Sequence, residues 1–211
     1  MAHILVLGAS NGIGFETVKA ALQAGHTVRA FARSASKIDL ADQGLERFSG
    51  DALRAQDVKS ALDEIDAVVQ ALGVPFRDLF QAVSLFSEST NILVPAMESG
   101  GVRRLIAVTG FGAGDSERAI GLLQRVPFQL VFGRAYRDKD VQEMRIKKSK
   151  LDWTIVRPGV LTGGSQTGKY QVLDQPSQWR NGRIARANVA DFIIRQIDKP
   201  THVGQAPVLI Q

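Results

Sequence analysis

The stretch Gly8-Ala9-Ser10-Asn11-Gly12-Ile13-Gly14 separates a short apolar run, residues 3–7, from a segment whose apolar residues recur at helical spacing, residues 13–24. Glycines this dense at the joint between a strand and a helix leave the backbone few paths. Gly8 permits a tight turn, Gly12 lets backbone approach a ligand with no Cβ in the way, and Gly14 lets the helix pack closely on the strand. The first turn of the helix presents free N–H groups and a positive dipole end, which favour an anion. Ser10 and Asn11 can add side-chain hydrogen bonds. This context is the one a dinucleotide fingerprint needs. The same residues also spell Gly-x-Ser-x-Gly over 8–12, the nucleophile elbow of serine hydrolases. Position speaks against the elbow: only seven residues precede Gly8, leaving no earlier segment to donate an oxyanion loop, and the late histidine, His202, lies in the polar turn "KPTHVG".

The rest of the chain continues the alternation. Strands are predicted over 3–7, 27–32, 46–49, 67–71, 105–109, 154–157 and 207–210, and helices over 13–24, 54–64, 79–99, 134–150 and 188–198. Ile13, Thr17, Val18, Ala21 and Leu22 share one face of the first helix, the spacing for packing on a sheet, and Gly25 supplies its stop. Strand–helix alternation over 211 residues predicts an α/β fold, a doubly wound parallel sheet of Rossmann type in a single domain. Two long excursions break the pattern, 112–133 and 163–186, the second with a predicted hairpin over 168–173; such insertions often serve as lids or substrate loops.

Composition narrows the function. The absence of cysteine excludes disulfides and thiolate metal sites, and no metal site is expected. The start of the chain lacks the basic and apolar regions of a signal peptide, and no apolar run is long enough to span a bilayer. The expectation is a cytoplasmic protein without a membrane partner, a monomer or a homodimer. The chain is basic, with 26 Lys+Arg against 21 Asp+Glu, but the charge is scattered. Its densest cluster, residues 145–150, falls at a predicted helix end, where cations suit the dipole. No aromatic interleaving accompanies it, and no nucleic-acid partner is expected.

The end of the second predicted strand, "VRAFARSASK", sharpens the cofactor. An NAD site usually carries an acid here to hold the ribose hydroxyls. This chain has Arg33 instead, able to fork onto a 2′-phosphate, with Ser36 or Lys37 to assist. NADP(H) is therefore expected in preference to NAD(H).

With "GASNGIG", "VRAFARS", "GDALR", "VVQALG", "LIAVTGFG", "SKLDWTIVRPGVLT" and "GRIARANVADFIIRQI" in place, the chain resembles the atypical short-chain dehydrogenase/reductases. It is most similar to the NAD(P)H-binding group of NmrA-like proteins and biliverdin-IXβ or flavin reductases. The resemblance spans nearly the whole chain. It implies that Gly8, Ser10, Asn11, Gly12, Ile13 and Gly14 hold the pyrophosphate, that Arg33 and Ser36 hold the 2′-phosphate, and that Asp51 and Ala52 flank adenine. It further implies that Ala71, Leu72 and Gly73 line the ribose with Arg77 nearby, that Thr109 and Gly110 stand where nicotinamide meets substrate, and that Pro158, Gly159 and Val160 cover the nicotinamide amide.

The chain departs from the superfamily at its acid. The main branch uses Ser, Tyr and Lys, with Tyr-x-x-x-Lys on a helix. Here "AYRDKD" puts Ala135 at the tyrosine position if Lys139 is the lysine, and leaves Tyr136 three residues before it, still on the same helix face. Thr109 stands for the serine, with a hydroxyl to hydrogen-bond a carbonyl. Thr109, Tyr136 and Lys139 are the catalytic candidates, and Lys139 is also a candidate ribose contact. Phe111, Tyr170 and Trp179 are candidates for the acceptor wall. The reading is an NADPH-dependent oxidoreductase that passes hydride to a small or flat organic acceptor: a quinone, a flavin or a carbonyl compound. Its rival is a nucleotide-sensing binding protein without turnover. A third option, epimerisation with tightly held NAD, is disfavoured by Arg33 and the short substrate region.

Overall fold

The computed structural model describes residues 1–74 and 83–211, with the backbone alone over 122–131. Five strands open the chain's main sheet: β1 (His3–Leu7), β2 (Thr27–Ala32), β3 (Leu45–Ser49), β4 (Ala67–Gln70) and β5 (Arg104–Val108). Among the described residues five more strands follow, of which β7 and β9 lie outside that sheet: β6 (Asp152–Pro158), β7 (Val160–Thr162), β8 (Gln171–Leu173), β9 (Arg183–Ala185) and β10 (Val208–Ile210). The sheet runs β3-β2-β1-β4-β5-β6-β10-β8. It is parallel from β3 to β10, and β8 closes it antiparallel, Val208 facing Leu173. The helices are α1 (Gly12–Gln23), α2 (Ala55–Ala61), α3 (Leu85–Gly100), α4 (Leu122–Lys148) and α5 (Arg186–Asp198). The predicted Rossmann-type architecture is the one observed.

Strand periodicity explains the layering. On β1, Ile4 and Val6 pack under α1 and α5 with Val18, Val189 and Ile193, while Leu5 and Leu7 pack under α2 and α3 with Val58, Leu93 and Met97. All four β1 side chains are buried, as a central parallel strand covered on both faces requires. Each such burial is worth about 1.5–3 kcal/mol. Among the described residues, no helix is long and apolar enough to cross a membrane.

Three expectations need correction. The first excursion is mostly helix: after a 3₁₀ turn at Gly114–Ala119, α4 begins at Leu122 rather than at 134. Pro127 and Gly133 have the poorest helix propensities and hid its first turns. The predicted hairpin over 168–173 is β8, whose partner is the distant β10. Finally β7 and β9 pair in parallel beside the main sheet, and three residues each are too few to show a period. The predicted start of the third helix at 79 lies outside the described residues, which resume before Leu85.

Candidate active site

A cleft of about 970 Å³ runs along the carboxyl edge of the sheet, where open α/β sheets bind ligands. Its middle is the β1–α1 turn. Asn11 caps α1, its Oδ1 accepting from the Gly12 amide at 2.6 Å. Gly8 has φ +87, and a Cβ there would stand 2.5 Å from the Ala71 carbonyl oxygen. A Cβ on Gly14 would collide with the Gly8 carbonyl. Gly12, with φ +60, has nothing within 4 Å of where its Cβ would go. Gly8 and Gly14 thus let two chain segments touch, whereas Gly12 leaves open a place for a ligand beside free helix N–H groups. Ser10, Asn11, Gly12 and Ile13 line the cleft; Gly14 is buried and does not. This cradle fits a dinucleotide's pyrophosphate.

Towards β3 the cleft passes Arg33, Asp51 and Ala52. Arg33 follows the last residue of β2, is exposed, and lines the cleft. Ser36 lies on the 3₁₀ turn Ala35–Lys37, exposed and outside the lining. Asp51 shapes its own turn: its Oδ1 accepts from the Leu53 amide at 3.0 Å, and its amide donates to Asp57 at 2.9 Å. Ala71, Leu72 and Gly73 line the middle opposite the glycine turn. Arg77 lies outside the described residues.

Towards β6 the lining includes Thr109, Tyr136, Lys139 and Pro158, brought together from β5, α4 and β6. Gly159 and Val160 turn away, because their amides are taken up in pairing with Leu209 and Gly182, at 2.9 and 2.8 Å; neither lines the cleft. The three expected acceptor-wall aromatics do not line it either. Phe111 is packed among Ile120, Leu173, Val208 and Ile210. Tyr170 donates to Asp191 at 2.8 Å and packs edge-on against Phe192. Trp179 donates from Nε1 to the Leu173 carbonyl at 3.0 Å and lies under the Arg157 guanidinium. Phe86, Phe132, Leu161 and Arg186 occupy the wall instead. Sequence reasoning missed them because Phe86 and Phe132 sit on helices at spacings that equally serve a core, and Arg186 opens α5 like an ordinary surface residue.

The segment Tyr136–Glu143 organises this end. Tyr136 packs edge-on against Phe132, with ring centroids 6.3 Å apart. A side chain on Gly110 would begin 2.6 Å from the Tyr136 hydroxyl, so glycine there makes room for it. Burial pushes the Tyr136 phenol up to about 12. Asp138 accepts from the Phe86 and Ser87 amides, at 2.8 and 3.3 Å, and so caps α3 from the neighbouring helix. Lys139 donates to the Thr109 carbonyl, with its ammonium 4.9 Å from the Phe86 ring centre and 5.4 Å from that of Tyr136. Burial lowers the Lys139 ammonium to about 8, against the opposing pull of Glu143 and Asp138. Asp140 accepts from the Gly114 amide at 2.6 Å.

Thr109 differs from expectation in one respect. Its hydroxyl donates to Glu143 Oε1 at 2.9 Å, so its single proton is committed behind the cleft rather than offered to an acceptor carbonyl. This end of the cleft also carries the Tyr136 phenol, which stays protonated across the ordinary pH range, and the Lys139 ammonium, which holds its proton at neutral pH yet releases it readily.

Comparison with known proteins agrees with this geometry. The anaerobillin reductase ChuY of Escherichia coli O157:H7 superposes with a TM-score of 0.81 at 29% identity, over 99% of this chain and 96% of that one. The photosystem II assembly factor Ycf39 of Synechocystis is 25% identical over 93% of this chain, and the NAD(P)H azoreductase of Xenophilus azovorans is 24% identical over 96%. This chain spans 58% and 66% of the lengths of those two relatives. A family model described as NAD(P)H-binding matches residues 8–200, and with the glycine turn, the cleft and the sheet order on the same chain, this protein belongs to that NAD(P)H-binding family.

Proposed function

We propose that the protein is an NADPH-dependent oxidoreductase that passes hydride to a small or flat organic acceptor: a quinone, a flavin or a carbonyl compound. The observation that carries this reading is the continuity of one cleft from Arg33, past the glycine turn, to the Tyr136–Lys139 pair under an aromatic wall. NADPH, when bound, supplies the hydride. The chain's residues do the rest. The α1 amides and Gly12 take the pyrophosphate, and Arg33 takes the 2′-phosphate by a charge-assisted fork. Phe86, Phe132 and Tyr136 give a flat acceptor an apolar face and exclude water. Tyr136 donates a hydrogen bond to the reacting oxygen or nitrogen, and Lys139 places a positive charge where negative charge develops. The reductase names carried by ChuY and by the azoreductase support this class of chemistry. The reading places the reaction in the cytoplasm, with a small molecule as partner and no nucleic acid.

A second reading, a nucleotide sensor without turnover, is favoured by one observation: the Thr109 proton is held by Glu143, which removes one of the superfamily's usual donors. NADPH consumption against a panel of quinones, flavins and aldehydes separates the two. The oxidoreductase consumes NADPH with at least one class; tight binding with no consumption across the panel establishes the sensor instead.

A further inference from the structure

A buried ion pair stands behind the cationic end of the cleft. Arg157, on β6, is fully buried, and Glu143, on α4, is 1% exposed. Arg157 Nε and Nη2 donate to Glu143 Oε1 and Oε2 at 2.9 and 2.5 Å, and Nη2 also reaches Asp115 at 2.5 Å. The Lys147 ammonium lies 3.4 Å from the same Glu143 Oε2. Any side chain on Gly114 would run into both charged groups, so the backbone is shaped around the pair. Burying two charges carries a desolvation penalty that apolar side chains of similar volume avoid. The pair therefore calls for a role beyond filling space.

Thr109 supplies that role, because it is held from both sides. Its hydroxyl is bound by Glu143 behind, and its carbonyl binds the Lys139 ammonium in front. We propose that Glu143, clamped by Arg157, is a positioning residue for Lys139: it fixes Thr109, Thr109 fixes the ammonium in the cleft, and the carboxylate supplies the counter-charge. Lys139 has other neighbours. Asp138 is engaged with the α3 amides, Phe86 on α3 and Tyr136 on α4 present uncharged rings, and Asp140 faces Gly114. Asp115, Lys147 and Arg157 gather around Glu143. Glu143 thus joins a buried charge to the Lys139 tether.

The test has an arm that needs no acceptor. In lysine-labelled protein, the side-chain resonance missing from a Lys139→Arg variant belongs to Lys139, and its titration midpoint is expected near 8. Glu143→Gln keeps the shape and removes the charge; the midpoint should fall by about one unit. Glu143→Asp keeps the charge and should restore the midpoint, while withdrawing the oxygen from Thr109. A midpoint in Glu143→Gln equal to the wild type, with only a lower melting temperature, overturns the proposal. If Glu143→Gln yields too little folded protein, Thr109→Val decides, since it leaves the Arg157–Glu143 pair whole. With menadione or FMN as the acceptor, its kcat should drop about tenfold, as for loss of a positioning hydrogen bond, with NADPH affinity unchanged; an unchanged kcat also overturns the proposal. The kinetic arm rests on the oxidoreductase reading. A wild type that reduces neither acceptor counts against that reading and leaves the titration to decide the role of Glu143.

Discussion

At the β1–α1 turn, in the middle of the cleft, the cradle is shaped mainly by residues 8–14, with Ala71 set against Gly8. At the Lys139 end, the same few ångströms of wall draw on α3, β5, α4 and β6. The first region is specified by backbone sterics: positive φ at Gly8 and Gly12 and a missing side chain at Gly14. The second is specified by side-chain chemistry between distant segments: Asp138 capping α3, Lys139 on the Thr109 carbonyl, Glu143 on the Thr109 hydroxyl. A turn built from sterics tolerates almost no change where chains touch. A site built from tethers tolerates change in shape but loses its chemistry one contact at a time.

The largest expected effect tests that contrast within the turn itself. Gly14→Val drives a side chain into the Gly8 carbonyl and should abolish the folded state, read by circular dichroism. Gly12→Val meets open space; it costs about 1–2 kcal/mol for its left-handed backbone, should still fold, and should lose NADPH binding. Equal stability for the two variants breaks the distinction between chain contact and ligand contact. At the other end, Tyr136→Phe should cut turnover by roughly a hundredfold with NADPH affinity intact. An unchanged rate removes Tyr136 from the mechanism and leaves cofactor positioning with protonation by solvent.

Arg33→Ala should weaken NADPH by about ten- to a hundredfold, the ~1.5–3 kcal/mol of a charge-assisted contact, and leave NADH nearly untouched. Wild-type protein that binds NADH as tightly as NADPH contradicts the role of Arg33. The pH profile comes next. Lys139 is a base whose ammonium is lowered to about 8, so a rate that needs the ammonium is level below that pH and falls about tenfold per unit above it. A level rate through pH 10 shows that the charge on Lys139 is not used. The smallest effect is that of Ser10→Ala, about 1 kcal/mol of NADPH affinity for one hydrogen bond. Esterase activity in the wild type that vanishes in this variant would restore the nucleophile-elbow reading.

The contrast also explains what was legible. The glycine turn, the alternation of strand and helix and Arg33 at the end of β2 were readable because each is a local signal: a φ restriction, a period of two or 3.6, a residue type at a strand end. Phe111, Tyr170 and Trp179 were misplaced because an aromatic's address depends on which chain packs over it, and here Val208, Phe192 and Arg157 claim them. Glu143 and Arg157 gave no signal. A carboxylate on a helix and an arginine on a strand look like surface residues until α4 is laid against β6. Spacing brought Tyr136 and Lys139 to one helix face, and the contact with Gly110 that locates the Tyr136 hydroxyl is a tertiary fact.

Transfer of label from NADPH deuterated at the reactive carbon of its nicotinamide ring tests the central claim most directly. The account predicts loss of deuterium from one face of the ring only, kept as C–D when the acceptor is an aldehyde and passed on to solvent from the N–H or O–H of a reduced flavin or quinone, with the rate of loss lowered in Tyr136→Phe. NADPH that binds in the cleft and keeps its deuterium in the presence of quinones, flavins and aldehydes alike would contradict it.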